Sequence, residues 1–318
     1  MEKLRVGVIG TGHLGRFHAE KLSQIEKADL VALVDINPKK AQEVVKRLRE
    51  IGKSPNVFSN YQEIVQLVDA VAIVTPTFTH YEIAKFFIEK EKAVFLEKPI
   101  TNDLKLAEDL VNLAEKKRVP LQIGYIERFQ GAVKEAVSKV KNPVFIEAHR
   151  LSPFTERNLD IDVVLDLMIH DLDLVLMLKP GRKVEFIHAV GAPFFTNLPD
   201  IVNVRLVFDD GATCNLTASR LSLTRQRKLR IFEKGTYSVI DTLEKSFLYV
   251  KVNPITREYI QEKKSFPEDD PLREELVSFV EGVLAGRPLS PNGKDGLKSL
   301  ELAFKIRDQV DQNLRRFL

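Results

Sequence analysis

Residues 4–15 read LRVGVIGTGHLG: a short apolar run leads into three glycines spaced GxGxxG, and a helical stretch follows. The run predicts a buried strand. Gly10 would then allow a tight turn, Gly12 would let backbone approach a phosphate, and Gly15 would let the helix lie close to the strand. The N-terminus of that helix would face an anion. The sequence therefore predicts a phosphate-binding loop made of Gly10, Thr11, Gly12, His13, Leu14 and Gly15.

A carboxylate follows this loop at the distance that a dinucleotide site requires. Asp35 ends a second predicted strand, LVALVD, 20 residues beyond Gly15, where an acid hydrogen-bonds a ribose diol. It would repel a 2′-phosphate, and Ile36 follows it instead of an arginine, although Lys39 and Lys40 lie further on. We therefore expect NAD in preference to NADP. A glycine turn that binds nothing is the alternative, and the acid in register argues against it.

Short β-branched runs alternate with amphipathic helical stretches through the first third of the chain. This alternation predicts a parallel sheet covered by helices on both faces. The fold class predicted for residues 1–124 is therefore α/β, a doubly wound NAD-binding Rossmann domain. The strand candidates are LRVGVIG (4–10), LVALVD (30–35), DAVAIVT (69–75), AVFLE (93–97) and PLQIGY (120–125).

The pattern changes after Gly124. Residues 200–208 and 212–220 flank an Asp-Asp-Gly turn, and residues 228–233 and 237–241 flank Lys-Gly, which are hairpin patterns. Helices are expected over 131–140 and 161–178, from Pro271, and over 297–314. Residues 125–318 are predicted to form one α+β domain with a large, mostly antiparallel sheet that binds substrate and supports oligomerisation.

Composition excludes several classes of protein. The 318 residues carry 48 Lys and Arg against 45 Asp and Glu, a net charge of +3, which argues against nucleic-acid binding. Cys214 is the single cysteine, so no intrachain disulfide or cysteine-based zinc site is possible. No export signal and no run of 18 apolar residues is visible. A cytoplasmic protein without membrane insertion and without a bound metal is expected.

One apolar helix carries a stripe of acids. Over residues 161–178, Asp162, Asp166, His170 and Asp173 recur at intervals of four, four and three, which places them on one helical face. The helix has no lysine or arginine between Arg157 and Lys179. Because a buried unpaired carboxylate is costly, the stripe should face a polar cleft or cations from other segments.

Lys98 is the predicted cation at the reacting centre. It lies in Glu97-Lys98-Pro99 after the strand AVFLE, at the sheet edge where ligands bind in doubly wound folds. A histidine titrates near neutrality and can accept a hydroxyl proton. Lys98, Asp166 and His170 are therefore the predicted catalytic residues. Taken alone, an Asp and a His four apart could instead be an ordinary helical pair or half of a zinc site.

Together these motifs resemble the glucose-fructose oxidoreductase, inositol dehydrogenase and MocA-like (Gfo/Idh/MocA) family of NAD(P)-dependent oxidoreductases. The resemblance covers essentially the whole chain and rests on GTGHLG (10–15), Asp35, Thr75-Pro76 with His80, Glu97-Lys98-Pro99, GYIERF (124–129), and Asp166 with His170. It implies that Lys98, Asp166 and His170 are catalytic or substrate-binding, that the Lys98–Pro99 bond is cis, and that Thr75, Pro76, His80 and Glu97 belong to the cofactor site with Lys98. Gly131 departs from a proline that is frequent in the family.

Four further segments, GYIERF, EAHRLSPF, VVLDLMIHDLDLV and LTASRLS, are similar to the branch of that family that contains UDP-N-acetylglucosamine 3-dehydrogenases. This likeness implies oxidation of a sugar nucleotide at C3 to a 3-keto sugar, on the route to a lipid A diaminosugar. Arginines suit a diphosphate, and the predicted substrate site comprises Arg128, Arg150, Arg157, Asp166 and His170, with Arg220, Arg225 and Arg227 nearby.

Several alternatives stay open at the level of sequence. They are another sugar or cyclitol dehydrogenase of the family, an NAD-dependent glycosidase, and an NAD-binding regulatory protein without catalysis, since fold alone does not prove activity. The expected partner is a small sugar or sugar nucleotide. The resemblance also implies a homo-oligomer, either a dimer or a tetramer.

Overall fold

A computed structural model describes residues 2–156 and 161–316, and within these residues the chain divides into two compact units. The first unit comprises the chain up to Ile126 together with 270–298. The second comprises Glu127–Asp269 and the chain from Ser299 onward.

The first unit is built on a parallel sheet, whose order among the described residues is β3-β2-β1-β4-β5-β6. Its strands are β1 (Leu4–Ile9), β2 (Ala28–Val34), β3 (Asn56–Phe58), β4 (Ala70–Ile73), β5 (Ala93–Glu97) and β6 (Leu121–Gly124). Its connecting helices are α1 (His13–Gln24), α2 (Pro38–Arg49), α3 (His80–Glu89) and α4 (Leu104–Lys117). The predicted doubly wound α/β fold is confirmed, and β3 is a strand that the sequence pattern did not predict.

The strand order places the ligand-binding edge of this unit. The chain runs outward from β1 through β2 to β3, and then returns to place β4 on the other side of β1. Ligands of doubly wound sheets bind beyond the carboxyl ends of the strands at such a reversal. The central strands are mostly apolar because helices cover both of their faces; Val6, Val8 and the whole of β4 are buried.

Residues 270–298 correct the predicted domain boundary, since they belong to the first unit and not to a domain running from 125 to 318. The segment contains α7 (Pro271–Leu284), whose Leu276, Phe279 and Val280 join the core formed by β1, β2 and α1. Phe279 lies edge-on to Phe95 of β5, with ring centroids 5.8 Å apart. Buried apolar area therefore ties α7 to the first sheet.

The second unit contains a mostly antiparallel sheet, whose order among the described residues is β14-β13-β12-β11-β7-β10-β9-β8. The strands are β7 (Phe145–Leu151), β8 (Val184–Ala192), β9 (Ile201–Phe208), β10 (Thr213–Ser219), β11 (Gln226–Glu233), β12 (Thr236–Asp241), β13 (Ser246–Val252) and β14 (Tyr259–Ser265). Both predicted hairpins, β9–β10 and β11–β12, are present, and β7 runs parallel to β10. The predicted α+β character of this part of the chain is confirmed.

The helices of the second unit include α5 (Gly131–Lys139) and α6 (Ile169–Leu178), and α8 (Gly293–Leu314) enters it at Ser299. A π-helical turn, Val164–Met168, precedes α6. The sequence predicted one regular helix from 161, so this wider turn is a correction. Within residues 2–156 and 161–316, no helix is long and apolar enough to cross a membrane, and no group of three or more His, Cys, Asp or Glu side chains could hold a metal ion.

Candidate cofactor and catalytic residues

The predicted phosphate-binding loop lies between β1 and α1, and two of its glycines are required by packing. Gly10 has a φ of +88°, and a β-carbon on it would lie 2.5 Å from the carbonyl oxygen of Val74. A β-carbon on Gly15 would lie 1.8 Å from the carbonyl oxygen of Gly10. The loop therefore keeps its shape only with glycine at both positions.

Gly12 is different, because a β-carbon on it would meet no described atom within 4 Å. It is the N-cap of α1 and supplies no side-chain cap to that helix. Packing of the described residues thus gives no reason for glycine here, whereas close approach of a pyrophosphate does. The open space beside Gly12, at a helix N-terminus, fits the diphosphate of a dinucleotide.

Asp35 is joined directly to this loop. Its Oδ2 accepts hydrogen bonds from the N–H and the hydroxyl of Thr11, both at 2.9 Å, and its Oδ1 accepts from the N–H of Asn37 at 2.9 Å. The carboxylate is half-buried, whereas Ile36 is 95% exposed. Lys39 and Lys40 are exposed residues of α2. Asp35 is thus held at the end of β2, with its charge beside the loop.

Thr75 and Pro76 follow β4, next to the phosphate-binding loop. The side chain of Thr75 lies within 2.9 Å of where a β-carbon on Gly10 would be, and its hydroxyl accepts a hydrogen bond from Thr79 at 2.7 Å. Thr75 is half-buried and Pro76 is exposed. Thr75 therefore borders the phosphate-binding loop, and contact of Thr75 and Pro76 with the cofactor stays a prediction.

His80 does not fit the predicted cofactor-binding role, and this is a correction. Its side chain is 1% exposed. Nδ1 lies 2.9 Å from the carbonyl oxygen of Pro99, and Nε2 lies 2.9 Å from that of Thr75. Both ring nitrogens are thus engaged by backbone, and burial lowers the pKa of His80 despite these carbonyls. His80 joins two turns and presents no atom to a ligand.

Lys98 follows β5 directly and is half-buried, and the Lys98–Pro99 peptide bond is cis. Glu97 turns away from solvent toward α1, where its Oε1 lies 3.0 Å from Nε2 of His18. Burial raises the pKa of Glu97, but His18 and Lys98 outweigh burial and hold that pKa below its usual value. Glu97 is therefore an ionised partner of His18 within the first unit.

Asp166 and His170 occupy the π turn and the first turn of α6. On this mostly buried segment both side chains are half-buried. Asp166 lies inside the π turn Val164–Met168, a rare geometry that occurs frequently at functional sites. The predicted pair thus lies where the helix departs from regular α geometry.

The two ends of the acidic stripe have structural partners, which come from other segments as predicted. Asp162 caps the π turn by accepting from the N–H groups of Val164 and Leu165, and its Oδ2 lies 2.5 Å from Nε of Arg307. Asp173, fully buried, forms a bidentate pair with Arg128 at 2.6 and 2.7 Å. The stripe therefore divides into two paired ends and a half-buried centre.

The same contacts correct the predicted roles of Arg128 and Arg150. The side chain of Arg150 is 4% exposed, and it lies 2.9 Å from Asp171 and 2.8 Å from Glu127. Burial alone would lower the pKa of Arg150, but these two carboxylates raise it above its usual value. Arg128 is held by Asp173 in the same way. Carboxylates of the second unit thus occupy both guanidinium groups, which leaves them unsuited to a phosphate.

The other predicted arginines divide differently. Arg220 is buried, lies 3.5 Å from Asp200 and donates to the carbonyl oxygen of Ile161 at 2.7 Å. Arg225 and Arg227 are exposed on the segment leading into β11 and on that strand. The prediction for Arg157 lies outside the described residues. Nη1 of Arg227 lies 3.9 Å from Oε1 of Glu127, a longer contact than the 2.8 Å of Arg150. Because both side chains are exposed, Arg225 and Arg227 remain as candidates for contact with an anionic substrate.

Sequence reasoning missed two sets of buried residues. The first is the cluster of Glu127, Arg150 and Asp171, for which alternating charges within apolar segments were the available signal. The second is the pair of buried histidines beside Lys98, His18 and His80, of which only His80 is predicted from the sequence, as part of the cofactor site. Lys98 belongs to the first unit, and Asp166 and His170 belong to the second. That they act on one substrate stays a prediction.

Comparisons with known proteins identify relatives over the whole length. A family described as "Oxidoreductase family, NAD-binding Rossmann fold" matches residues 4–125, and the GFO/IDH/MocA C-terminal domain matches residues 126–238. UDP-N-acetylglucosamine 3-dehydrogenase of Acidithiobacillus ferrooxidans is 35% identical over 324 residues, which cover 99% of this chain and 100% of that protein.

A solved structure of the UDP-N-acetylglucosamine 3-dehydrogenase from Acidithiobacillus ferrooxidans has a TM-score of 0.89 with this chain at 35% identity, covering 98% of this chain and 99% of the other. Myo-inositol 2-dehydrogenase of Thermotoga maritima is 26% identical over 332 residues, 97% of each chain. The likeness therefore extends through both units.

Proposed function

The chain belongs to the GFO/IDH/MocA family of NAD-binding oxidoreductases, and from that membership we propose that it oxidises a secondary alcohol of a sugar nucleotide, with NAD as the acceptor. UDP-N-acetylglucosamine is the proposed substrate, and C3 is the proposed carbon. The product is then the 3-keto sugar nucleotide. The 35% identity over the full length to an enzyme of that name supports this choice.

The observation that carries the proposal is the loop around Gly12. Its open space at the N-terminus of α1 suits a pyrophosphate, and Asp35 beside it suits a ribose diol. The negative charge of Asp35 disfavours a 2′-phosphate and supports NAD in preference to NADP. When bound, the nicotinamide ring supplies the electrophilic carbon that accepts a hydride from the alcohol carbon.

The side chains of this chain handle the proton and the developing charge on oxygen. His170 acts as the general base that takes the hydroxyl proton, a task for which imidazole titrates in a suitable range. Asp166, four residues earlier, orients the ring and stabilises its protonated form. Lys98 donates a hydrogen bond to the reacting oxygen or relays its proton. The C–H and O–H bonds of the alcohol break, and a C=O bond forms.

The exposed arginines supply a second part of the proposal. Arg225 and Arg227 are cationic, exposed and two residues apart, and guanidinium groups bind phosphate oxygens in a bidentate fashion. We assign them to the diphosphate of the sugar nucleotide. Partial burial of its side chain and the neighbouring charge of Arg150 lower the pKa of Arg227, but an arginine stays protonated at neutral pH.

The experiment that tests the function mixes the protein with NAD and a panel of UDP sugars, free sugars and inositols, and follows NADH by absorbance. A partner aminotransferase is included to remove the ketone. We expect NADH with UDP-N-acetylglucosamine, and we expect Lys98→Met and His170→Ala to suppress its formation while NAD still binds. Variants as fast as the parent would reject the assigned roles.

An inositol dehydrogenase is the second candidate, because myo-inositol 2-dehydrogenase of Thermotoga maritima matches along 97% of both chains. NADH formed with inositols and not with UDP sugars would select this activity. Binding of NAD without reduction by any member of the panel would instead select a regulatory protein.

A further inference from the structure

Two buried histidines that the proposed mechanism does not use contact the turn that carries Lys98. His18, on α1, and His80, at the start of α3, are 2% and 1% exposed. His18 contacts Glu97 and His80 contacts Pro99, so both rings contact the turn formed by residues 97–99. All of these residues belong to the first unit.

His80 connects this turn to the turn after β4. Nδ1 of His80 lies 2.9 Å from the carbonyl oxygen of Pro99, the residue after Lys98. On the opposite side of the ring, Nε2 lies 2.9 Å from the carbonyl oxygen of Thr75. Burial lowers the pKa of His80, and a neutral imidazole donates through only one of its nitrogens. The ring therefore donates to one of these two carbonyl oxygens and contacts the other, and in this way it spans the two turns.

His18 connects the same turn to the phosphate-binding loop. Nδ1 of His18 lies 3.1 Å from the carbonyl oxygen of Leu14, and Nε2 lies 3.0 Å from Oε1 of Glu97. Oε2 of Glu97 in turn accepts a hydrogen bond from the N–H of Lys98 at 3.2 Å. Behind it, a β-carbon on Gly124 would come within 3.0 Å of Oε2, so the carboxylate lies close against β6.

Each histidine therefore has one end on the Lys98 turn and the other end on a loop of the predicted cofactor site. The two rings are oriented oppositely: Nδ1 of His80 faces the Lys98 turn, whereas Nε2 of His18 does so. Because of this difference, substitutions can remove the contact of each histidine with the Lys98 turn and its contact with the cofactor loop one at a time. The amide nitrogen of asparagine reaches roughly where Nδ1 of a histidine lies, and that of glutamine reaches roughly where Nε2 lies.

We propose that His18 and His80 are positioning residues for Lys98, which link its turn to the two cofactor loops. The inference deepens the proposed function and depends on it for the role of Lys98. The contacts with Pro99 and Glu97 set the place of the amine during the reaction. The contacts with Thr75 and Leu14 set the place of the loops that receive NAD.

The test compares four substitutions, His80→Asn, His80→Gln, His18→Gln and His18→Asn. His80→Asn and His18→Gln keep the contact with the Lys98 turn, and we expect their kcat to stay close to that of the parent while their Kd for NAD rises. His80→Gln and His18→Asn lose that contact. We expect their kcat to fall by about a hundredfold, the effect of misplacing a reacting group by about 1 Å, with a smaller change in Kd for NAD.

Melting temperature separates positioning from a merely structural role. Each substitution removes one buried contact, so all four variants should lose stability to a similar extent. The proposal predicts that the loss of kcat depends on which end of the ring is removed. A loss of kcat that instead correlates with the loss of melting temperature would overturn it. If both variants at one histidine fail to fold, the pair at the other histidine still decides, because its two members make opposite predictions.

A readout without turnover distinguishes this proposal from the proposed function. Competitive acylation followed by mass spectrometry measures the reactivity of the Lys98 amine in each variant as pH is changed. We expect a changed profile in His80→Gln and His18→Asn, and the parental profile in the other two. If the profiles change in this way but the protein oxidises no sugar, the positioning role is kept and the proposed function is rejected. If all four variants show the parental profile, the positioning role is rejected.

Discussion

The carbonyl oxygen of Gly10 occupies the place that a β-carbon on Gly15 would need, at a separation of 1.8 Å. The turn and the helix of the phosphate-binding loop are therefore in direct backbone contact. Gly12, two residues after Gly10, differs, because a β-carbon on it would meet no described atom within 4 Å. The same loop thus contains glycines required by the fold and one glycine that suits a ligand.

This difference predicts opposite effects of alanine at the two positions. Gly15→Ala should lower the free energy of unfolding by about 3 kcal/mol, because neither backbone segment can move away without loss of packing. Gly12→Ala should change it by about 0.5 kcal/mol or less, but should raise the Kd for NAD at least about tenfold, since the methyl group fills the space of the pyrophosphate. Urea unfolding and titration calorimetry measure the two quantities. A Gly12→Ala variant with parental NAD affinity would contradict the assigned site.

Asp35 should determine the choice between NAD and NADP. Asp35→Asn keeps an acceptor for the N–H of Thr11 and removes the negative charge. We expect weaker binding of NAD and a higher ratio of NADP to NAD affinity, because the repulsion of a 2′-phosphate is lost. Asp29→Asn, at an exposed site on the same strand, is the matched control and should leave the ratio unchanged. Calorimetry with both dinucleotides provides the ratio, and an unchanged ratio in Asp35→Asn would exclude the role.

Arg150 should behave as a structural residue and Arg225 as a ligand contact. Arg150→Met leaves the buried carboxylates of Asp171 and Glu127 without their cation, a change that costs about 3–5 kcal/mol of folding free energy. Arg225→Met removes an exposed cation and should leave stability within about 0.5 kcal/mol of the parent, while raising the KM for the sugar nucleotide. Urea unfolding and steady-state kinetics measure these effects. A stable Arg150→Met with a raised KM would restore the substrate role that the structure corrects.

Asp200 should make the protein sensitive to acid. Oδ2 of Asp200 accepts hydrogen bonds from the N–H groups of residues 194–196 at 2.6–2.9 Å. Burial raises the pKa of Asp200, but these hydrogen bonds outweigh burial and hold the pKa below its ordinary value of 3.8. The folded protein therefore binds a proton at Asp200 more weakly than the unfolded chain does. The ionised carboxylate thus adds to the free energy of unfolding at pH values above 3.8, the ordinary pKa. This contribution is lost as pH falls through the lower folded pKa.

Asp200→Asn tests that sign. The difference in unfolding free energy between parent and variant should be largest above about pH 5 and should shrink toward about pH 3. Urea unfolding at a series of pH values measures it. A difference that is constant over this range would show that the carboxylate is not selectively stabilised in the folded state.

Local signals explain what the sequence predicted. The glycine spacing, Asp35 and the alternating apolar runs each specify structure within a few residues, and the parallel sheet and both hairpins follow from them. Residues 270–298 could not be assigned in this way, because Phe279 reaches the first core through tertiary packing that no local pattern encodes.

The misassigned arginines have the same origin. The sequence shows that Arg150 is cationic, but it does not show that Asp171 and Glu127 reach it from α6 and from the segment after β6. The π turn around Asp166 also lacks a local sequence signal. The catalytic residue types could therefore be predicted from motifs, whereas the distinction between buried partners and available side chains required the fold.

Transfer of deuterium from UDP-N-acetylglucosamine labelled at C3 tests the central claim most directly. The protein is mixed with NAD and the labelled sugar nucleotide, and the reduced dinucleotide is analysed by mass spectrometry. We predict deuterated NADH with the parent, and none above background with Lys98→Met or His170→Ala under conditions where both variants bind NAD. NADH without deuterium, or deuterated NADH formed equally by the variants, would contradict the account.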